Sequence, residues 1–217
     1  MTAPVTPQAA SVALEAICAL APVIPVLVIE QPHQARPLAE ALVAGGLPVL
    51  EVTLRTPAAL DAIAAMAAVP GAVVGAGTLL SPEDAANARA AGARFGVAPG
   101  ATDRLLSGCE KAGLPLLPGA ATASEAMRLA ERGYLMQKFF PASIAGGPAA
   151  LGALGAPLPR IRFCPTGGIT ADNARDYLAL PNVACVGGSW VAPPGRVAAG
   201  DWAGITALAR AAASLRD

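Results

Sequence analysis

Short apolar runs rich in β-branched residues recur along the chain and alternate with alanine-rich segments. Nearly every position within these runs is apolar, which is typical of parallel strands that are buried on both faces. The pattern therefore predicts eight strands. They cover residues 23–29, 49–54, 72–78, 95–99, 114–118, 136–140, 161–166 and 183–187.

The alanine-rich segments have helical spacing and carry helix boundary signals; residues 35–44, 58–68 and 85–91 are examples. A Ser or Thr ahead of a first-turn proline or shortly ahead of an acidic residue predicts a helix start. A glycine after the last apolar position predicts a helix end. By these signals, helices begin at Thr56, Ser81, Thr122 and Thr170 and end at Gly92, Gly113 and Gly133.

Eight alternating strand and helix units in about 200 residues fit a (β/α)8 TIM barrel with short loops. Residues 7–20 predict an extra N-terminal helix ahead of the first strand, and residues 201–215 predict the last helix. An open doubly wound sheet is the alternative. Such a fold typically has a GxGxxG turn after the first strand, and the nearest match, GAGTLL at residues 75–80, has Leu80 in place of the last glycine. Since no linker or shift in composition divides the chain, residues 1–217 are predicted to form a single domain.

Composition narrows the classes of function. Of 217 residues, 54% are hydrophobic and 14% are charged, and Lys+Arg balances Asp+Glu at 15 each. Such a chain has no charged arm for nucleic acid or an anionic membrane, so neither is an expected partner. The longest uncharged apolar stretch, residues 19–29, is short and carries two prolines, which argues against a transmembrane helix. The N-terminus lacks the features of a secretory signal, so a cytoplasmic protein is expected.

The cysteines and the single histidine limit metal chemistry. Cys18, Cys109, Cys164 and Cys185 form no CxxC pair, and they are expected to be free buried thiols. His33 is the only histidine, which excludes a multi-histidine zinc site and leaves Ser-His-Asp catalysis only if His33 serves in it. We expect no metal and no other cofactor.

Lys138 is the most distinctive polar residue, because the chain has thirteen arginines and only two lysines. It lies in a predicted strand between Met136 and two phenylalanines. Burial there favours the neutral amine, which is a nucleophile toward carbonyls. The common alternative is a lysine that points outward or pairs with a core carboxylate. Lys111, the other lysine, lies near a predicted helix end and is expected to be solvated.

Strand alternation allows a carboxylate and this amine both to point inward. Period two puts Glu51, Thr53 and Arg55 on one face of the second strand, and Lys138 and Phe140 on one face of the sixth. Glu51 is then a buried salt-bridge partner or, in a Schiff-base site, the general base. Arg55 is either a surface cation or a bidentate ligand for a carboxylate.

Paired glycines follow the last two predicted strands, in PTGG at residues 165–168 and VGGS at 186–189. Such pairs let backbone N–H groups approach an anion at the place where many barrels bind phosphate. Ordinary turn glycines are the alternative. With Thr166 and Ser189 as hydroxyl donors, the two loops predict a small phosphorylated substrate.

At residues 23–193 the chain resembles the bacterial 2-keto-3-deoxy-6-phosphogluconate aldolases, which also act as 4-hydroxy-2-oxoglutarate aldolases. The motifs that carry the resemblance are LEVTLRT at residues 50–56, VGAGT at 74–78, KFFPA at 138–142, RFCPTGGI at 162–169 and GGSW at 187–190.

The resemblance implies a class I lyase that splits the phosphorylated keto-deoxy acid into pyruvate and glyceraldehyde 3-phosphate without a metal. It implies that Lys138 forms the Schiff base, that Glu51 is the acid/base residue, and that the protein is a homotrimer. It also implies the substrate contacts: Arg55 and Thr78 at the carboxylate, Pro99 and Phe140 around the pyruvyl group, Thr166 at the substrate chain, and Gly167, Gly168 and Ser189 at the phosphate.

Two positions depart from the family pattern, where an acidic residue is usual at Ser143 and a serine is frequent at Ala98. Both are expected near the pocket mouth. Glu30 and His33, just after the first strand, are expected to cap the next helix rather than to contact substrate. Two rival functions stay open at this point: a sugar-phosphate epimerase or isomerase that shares the glycine loops, and a non-catalytic protein that binds a phosphorylated acid.

Overall fold

The computed structural model describes residues 3–216 and has an α/β fold whose named strand pairs are all parallel. Within these residues, no helix is both long enough and apolar enough to cross a membrane. The strands are β1 (Val23–Leu27), β2 (Val49–Thr53), β3 (Val73–Gly77), β4 (Phe95–Val97), β5 (Leu116–Leu117), β6 (Gly119–Ala120), β7 (Met136–Phe139), β8 (Arg162–Pro165) and β9 (Val186–Gly188).

The strands form a parallel half-barrel sheet of six strands and a second sheet of three. The six-stranded sheet has the order β5-β4-β3-β2-β1-β9, and the three-stranded sheet has the order β6-β7-β8. The order follows the chain without the reversal that defines a doubly wound fold. The first and last strands are neighbours. Isolated bridges also join Phe163 to Val183 and Thr166 to Gly187.

The predicted fifth strand, residues 114–118, is shorter in the structure, where β5 covers only Leu116–Leu117, and an additional strand, β6, follows at Gly119–Ala120. β5 pairs with β4, whereas β6 pairs with β7. Pro118 lies between them and has no N–H to donate to a ladder, which is why pairing stops there on one side. Its carbonyl still accepts from the Lys138 N–H at 2.8 Å. Eight predicted runs therefore become nine strands among the described residues.

Helices connect the strands, and the predicted N-terminal helix is present. The α-helices are α1 (Pro7–Cys18), α2 (Ala35–Ala44), α3 (Ala59–Ala67), α4 (Pro82–Ala90), α5 (Asp103–Ala112), α6 (Ala123–Arg132), α7 (Gly147–Gly155), α8 (Ala174–Leu178), α9 (Pro194–Ala199) and α10 (Trp202–Ala213). Two 3₁₀ turns span Pro32–Gln34 and Ser214–Arg216.

The helix boundary signals are confirmed at some positions and wrong at others. Ser81 and Thr122 each form a capping box, at the start of α4 and of α6. Thr56 does not cap α3, because its hydroxyl donates instead to the Ile29 carbonyl at 2.6 Å. Thr170 does not cap α8, because Asn173 occupies the cap position. Left-handed glycines follow α4, α5 and α6 as predicted, at Gly92, Gly113 and Gly133.

Apolar side chains fill both the space between sheet and helices and the amino-terminal end of the sheet. At that end, Leu14 and Cys18 of α1 share one buried cluster with strand residues such as Ile24, Phe95 and Met136. Because α1 and these side chains close this end, any substrate must enter from the opposite end, where the strands terminate. All four cysteines are free and buried, as predicted.

Candidate active site

Lys138 and Glu51 meet in the interior at the carboxyl end of the strands. The Lys138 Nζ lies 3.5 Å from the Glu51 Oε1, within ion-pair distance but longer than a typical hydrogen bond. The two residues are only 5% and 3% exposed. Glu51 belongs to β2 and Lys138 to β7, which are in different sheets, so the pair spans the interior between them.

Strand alternation sets the direction of the Lys138 side chain. Its neighbour Gln137 points the other way, and the Gln137 amide donates to the carbonyls of Ala126 and Tyr134 at 3.0 and 2.8 Å. The Lys138 Nζ lies 5.2 Å from the centre of the half-buried Phe140 ring. Lys138 therefore lies on the opposite face from Gln137 and on the same face as Phe140, as predicted for Lys138 and Phe140.

Arg55 and Thr78 lie beside each other past the ends of β2 and β3. The Arg55 Nε donates to the Thr78 Oγ1 at 3.3 Å. Thr78 has a φ of 62°, which is rare for a β-branched residue and is one of the backbone conformations that concentrate at functional sites. The guanidinium of Arg55 is exposed, and its other N–H groups have no partner among residues 3–216.

A cavity of about 670 Å³ opens at this end of the strands. Six of the predicted site residues line it: Arg55, Phe140, Thr166, Gly167, Gly168 and Ser189. Lys138 and Glu51 are not on its wall but are buried, with Lys138 beside the Phe140 ring that lines the cavity. Neither Thr78 nor Pro99 lines the cavity, but Thr78 is hydrogen-bonded to Arg55, which does.

Part of the cavity wall carries hydrogen-bond donors that have no protein partner in the part of the chain that the structure describes. Gly167 and Gly168 have φ values of 98° and 75°, which only glycine adopts readily. Within residues 3–216, the backbone N–H groups of Gly167, Gly168 and Ser189 donate to no protein acceptor. The Thr166 hydroxyl is also buried without a partner among these residues. Unpaired donors of this kind, held in a rigid loop, are what a phosphate group needs.

Comparisons of the sequence with known proteins identify its family. The family model for KDPG and KHG aldolase matches residues 14–208. The chain is 54% identical to a 2-dehydro-3-deoxy-phosphogluconate aldolase from Pseudoalteromonas atlantica, over 88% of this chain and 89% of the relative. It is 51% identical to the KHG/KDPG aldolase of Escherichia coli K12, over 91% and 93%.

Solved structures of such enzymes superpose closely on this chain. The Zymomonas mobilis 2-keto-3-deoxy-6-phosphogluconate aldolase with 3-phosphoglycerate has a TM-score of 0.89 and 50% identity, over 93% of this chain and 95% of the other. The KDPG aldolase of Legionella pneumophila, solved with pyruvate captured as a covalent carbinolamine intermediate, has a TM-score of 0.89 and 46% identity, over 97% and 99%.

This chain belongs to the KDPG and KHG aldolase family. The family and the aldolase activity predicted from the motifs are confirmed, and both rival functions lose their support.

One wall of the cavity in this aldolase is formed by residues that lie outside the family motifs. Val26, Val28 and Glu30 line it together with Gln31 and Gln34. Period two along the first strand places Val26, Val28 and Glu30 on one face, and this signal was available in the sequence.

Expectations for three further residues, Glu30, His33 and Ala98, are wrong, whereas Ser143 lies beside the cavity wall as expected. Neither Glu30 nor His33 caps α2, since Gln34 holds the cap position without a side-chain bond. Ala98 is fully buried in the core rather than at the mouth. Ser143 is exposed next to Gly168, where a β-carbon on that glycine would lie 2.1 Å from the Ser143 Oγ.

Proposed function

We propose that this chain cleaves 2-dehydro-3-deoxy-6-phosphogluconate into pyruvate and glyceraldehyde 3-phosphate through a Schiff base on Lys138. The names of some relatives, such as the KHG/KDPG aldolase of Escherichia coli, also support cleavage of 4-hydroxy-2-oxoglutarate into pyruvate and glyoxylate. The observation that carries the proposal is the buried pair of Lys138 and Glu51, 3.5 Å apart, near a cavity lined by a glycine loop whose backbone N–H groups are unpaired among residues 3–216.

Bond formation begins at the Lys138 amine. The neutral Nζ attacks C2 of the keto acid, and loss of water from the carbinolamine gives an iminium. Glu51 is close enough to take a proton from the Lys138 ammonium, and this frees the lone pair for attack. The iminium then withdraws electrons from the C3–C4 bond.

Bond cleavage requires a base at the C4 hydroxyl. Glu51, through a bound water, takes that proton while the C3–C4 electron pair moves into the iminium and leaves an enamine. The aldehyde departs, and Glu51 returns the proton to C3 of the enamine. Hydrolysis of the resulting imine releases pyruvate and restores the Lys138 amine. No oxidant, reductant or metal enters this sequence of steps.

Anchors at the two ends of the cavity orient the substrate between these groups. Arg55 and Thr78 are assigned to the keto-acid carboxylate, because the guanidinium offers a bidentate donor and is held by the Thr78 hydroxyl. At the other end, unpaired N–H groups support assignment of the phosphate to a glycine loop. The remaining assigned contacts are Pro99 and Phe140 around the pyruvyl group, Thr166 at the chain, and Gly167, Gly168 and Ser189 at the phosphate.

For the whole molecule, we propose a single domain over residues 1–217 in which the two sheets close into a (β/α)8 barrel. The uninterrupted strand order and the bridge from Thr166 to Gly187 support closure. A homotrimer, a cytoplasmic location and the absence of any cofactor stay predictions. Among residues 3–216, no group of three or more His, Cys, Asp or Glu side chains is arranged to hold a metal ion.

Borohydride reduction in the presence of pyruvate tests the Schiff base. The intact protein should gain the mass of one reduced pyruvate on the peptide that contains Lys138. Lys138→Arg should gain nothing and lose turnover, because guanidinium keeps the charge but is not a nucleophile. Lys111→Arg is the matched control, since Lys111 is the other lysine and is exposed at the end of α5. Lys138→Arg activity above about a tenth of normal would refute the assignment.

Rates of pyruvate release by the protein without substitutions measure its substrate preference. Pyruvate release should be compared for 2-keto-3-deoxy-6-phosphogluconate, its unphosphorylated form and 4-hydroxy-2-oxoglutarate. The phosphorylated acid should have the highest kcat/KM, because it alone reaches the glycine loop with a phosphate. Equal values for the phosphorylated and unphosphorylated acids would remove the proposed phosphate site.

A further inference from the structure

Gly77 lies directly against the Glu51 carboxylate. It is the last residue of β3 and pairs with Thr53 of the neighbouring β2, two positions beyond Glu51. A β-carbon built on Gly77 would lie 2.3 Å from the Glu51 Oε1, 2.7 Å from its Cγ and 2.9 Å from its Cδ. The Oε1 that would be displaced is the same oxygen that lies 3.5 Å from the Lys138 Nζ.

The backbone itself does not require glycine at position 77. The left-handed glycines of the described chain do not include Gly77, and its carbonyl accepts from the Leu54 N–H at 2.8 Å as in an ordinary strand. A glycine in a strand costs stability relative to alanine and commonly marks a close approach of another group. The close approach here is made by Glu51, which supplies all three of the nearest atoms.

We propose that Gly77 is a positioning residue for Glu51. Because Gly77 has no β-carbon, the Glu51 carboxylate can lie across β3 with its Oε1 toward the Lys138 Nζ. Adding one methyl group pushes the carboxylate out of this position, since Glu51 is almost fully buried and three of its atoms are in the way. The inference rests on the proposed function, in which Glu51 carries the proton to and from C3.

Gly77→Ala tests the inference with pyruvate alone. Exchange of the pyruvate methyl protons with solvent, followed by NMR, reports proton transfer at C3 by Glu51. Borohydride trapping of pyruvate at equilibrium reports the Schiff base on Lys138. We expect Gly77→Ala to slow exchange by about 10²-fold or more, the usual contribution of a general base, while trapping reaches the same extent.

Two other glycines provide matched controls. A β-carbon on Gly187 would also lie 2.3 Å from a buried side-chain oxygen, but that oxygen is the Thr166 Oγ1. Gly187→Ala should therefore preserve methyl exchange while lowering cleavage of the full substrate. Gly195 has no neighbour within 4 Å of the added carbon, and Gly195→Ala should change neither reaction.

A double variant separates positioning from a general structural effect. Glu51→Ala removes the three side-chain atoms that a β-carbon on Gly77 would meet, so the clash disappears. Gly77→Ala should then cause no further loss of exchange in a Glu51→Ala background. If Gly77→Ala fails to fold, the clash with Glu51 is the expected cause. Adding Glu51→Ala removes that clash and should restore folding.

Several outcomes overturn the inference: normal exchange in Gly77→Ala, an equal loss of exchange and trapping, or a misfolded Gly77→Ala that Glu51→Ala does not rescue. Failure of the proposed function would look different. In that case the protein without substitutions would not trap pyruvate at all, whereas failure of the inference alone leaves that trapping intact.

Discussion

Two buried threonines should respond in opposite directions when their hydroxyl is removed. The Thr166 Oγ1 is buried without a partner among the described residues, and the residue is 6% exposed. A buried hydroxyl that makes no hydrogen bond costs about 1–3 kcal/mol. Thr166→Val keeps the side-chain shape and removes this cost, so the free energy of unfolding should rise by about 1 kcal/mol. For a domain of this size that corresponds to an increase in Tm of about 2–4 °C.

Thr53 is the matched control. It is fully buried, and its hydroxyl donates to the Leu27 carbonyl at 2.9 Å. Thr53→Val loses this bond and leaves the carbonyl with one partner fewer, so the free energy of unfolding should fall by about 1 kcal/mol. Urea unfolding followed by circular dichroism at one fixed protein concentration measures both variants without a bias from subunit association.

Activity completes the test at Thr166. If the hydroxyl is unpaired because substrate supplies its partner, Thr166→Val should lower kcat/KM by about 3- to 10-fold, the value of one neutral hydrogen bond. A variant that is more stable and less active is the expected outcome, and it reflects stability given up for binding. A less stable Thr166→Val protein, or one with unchanged kcat/KM, would refute the reasoning.

Further predictions concern charge and proton transfer. Glu51→Gln should slow methyl exchange of bound pyruvate by about 10²- to 10⁴-fold, because an amide cannot carry the proton; an unchanged rate by NMR excludes Glu51 as the base. Glu30→Gln should lower the KM of the anionic substrate by about 2- to 5-fold at low salt, with an effect that fades as salt is added, since Glu30 lines the cavity. Burial raises the pKa of the Cys109 thiol from 9.0 to about 12. The native state thus keeps a proton that the unfolded chain loses, so the free energy of unfolding should fall as pH rises from about 9 toward 12, and less steeply in Cys109→Ala.

Local pattern was sufficient for most of the secondary structure. A strand buried on both faces needs apolar side chains at nearly every position, and a helix needs caps, so these elements are visible in segments of ten residues or fewer. The exceptions have tertiary causes. Thr56 has the right neighbours for a cap, yet its hydroxyl finds the Ile29 carbonyl, 27 positions away. Two short strands lie on either side of Pro118 and pair with different neighbours, whereas the pattern predicted one strand that ends there.

The sequence also singled out Lys138 as the candidate nucleophile. A lysine in an apolar strand of a chain that otherwise uses arginine is informative without coordinates, and its motif identified the family. The partner of that lysine was harder to assign. Alternation put Glu51 on a face, but a face is shared by every second residue and does not specify a contact.

Only the folded chain decided which atoms meet. The 3.5 Å approach of Lys138 to Glu51 joins residues 87 positions apart, and it depends on how two separate sheets are placed. The space that Gly77 leaves for Glu51 depends on the register of β2 against β3. Periodicity is a property of a single segment, whereas these distances are set by the packing of several segments at once, and a linear pattern carries no measure of that packing.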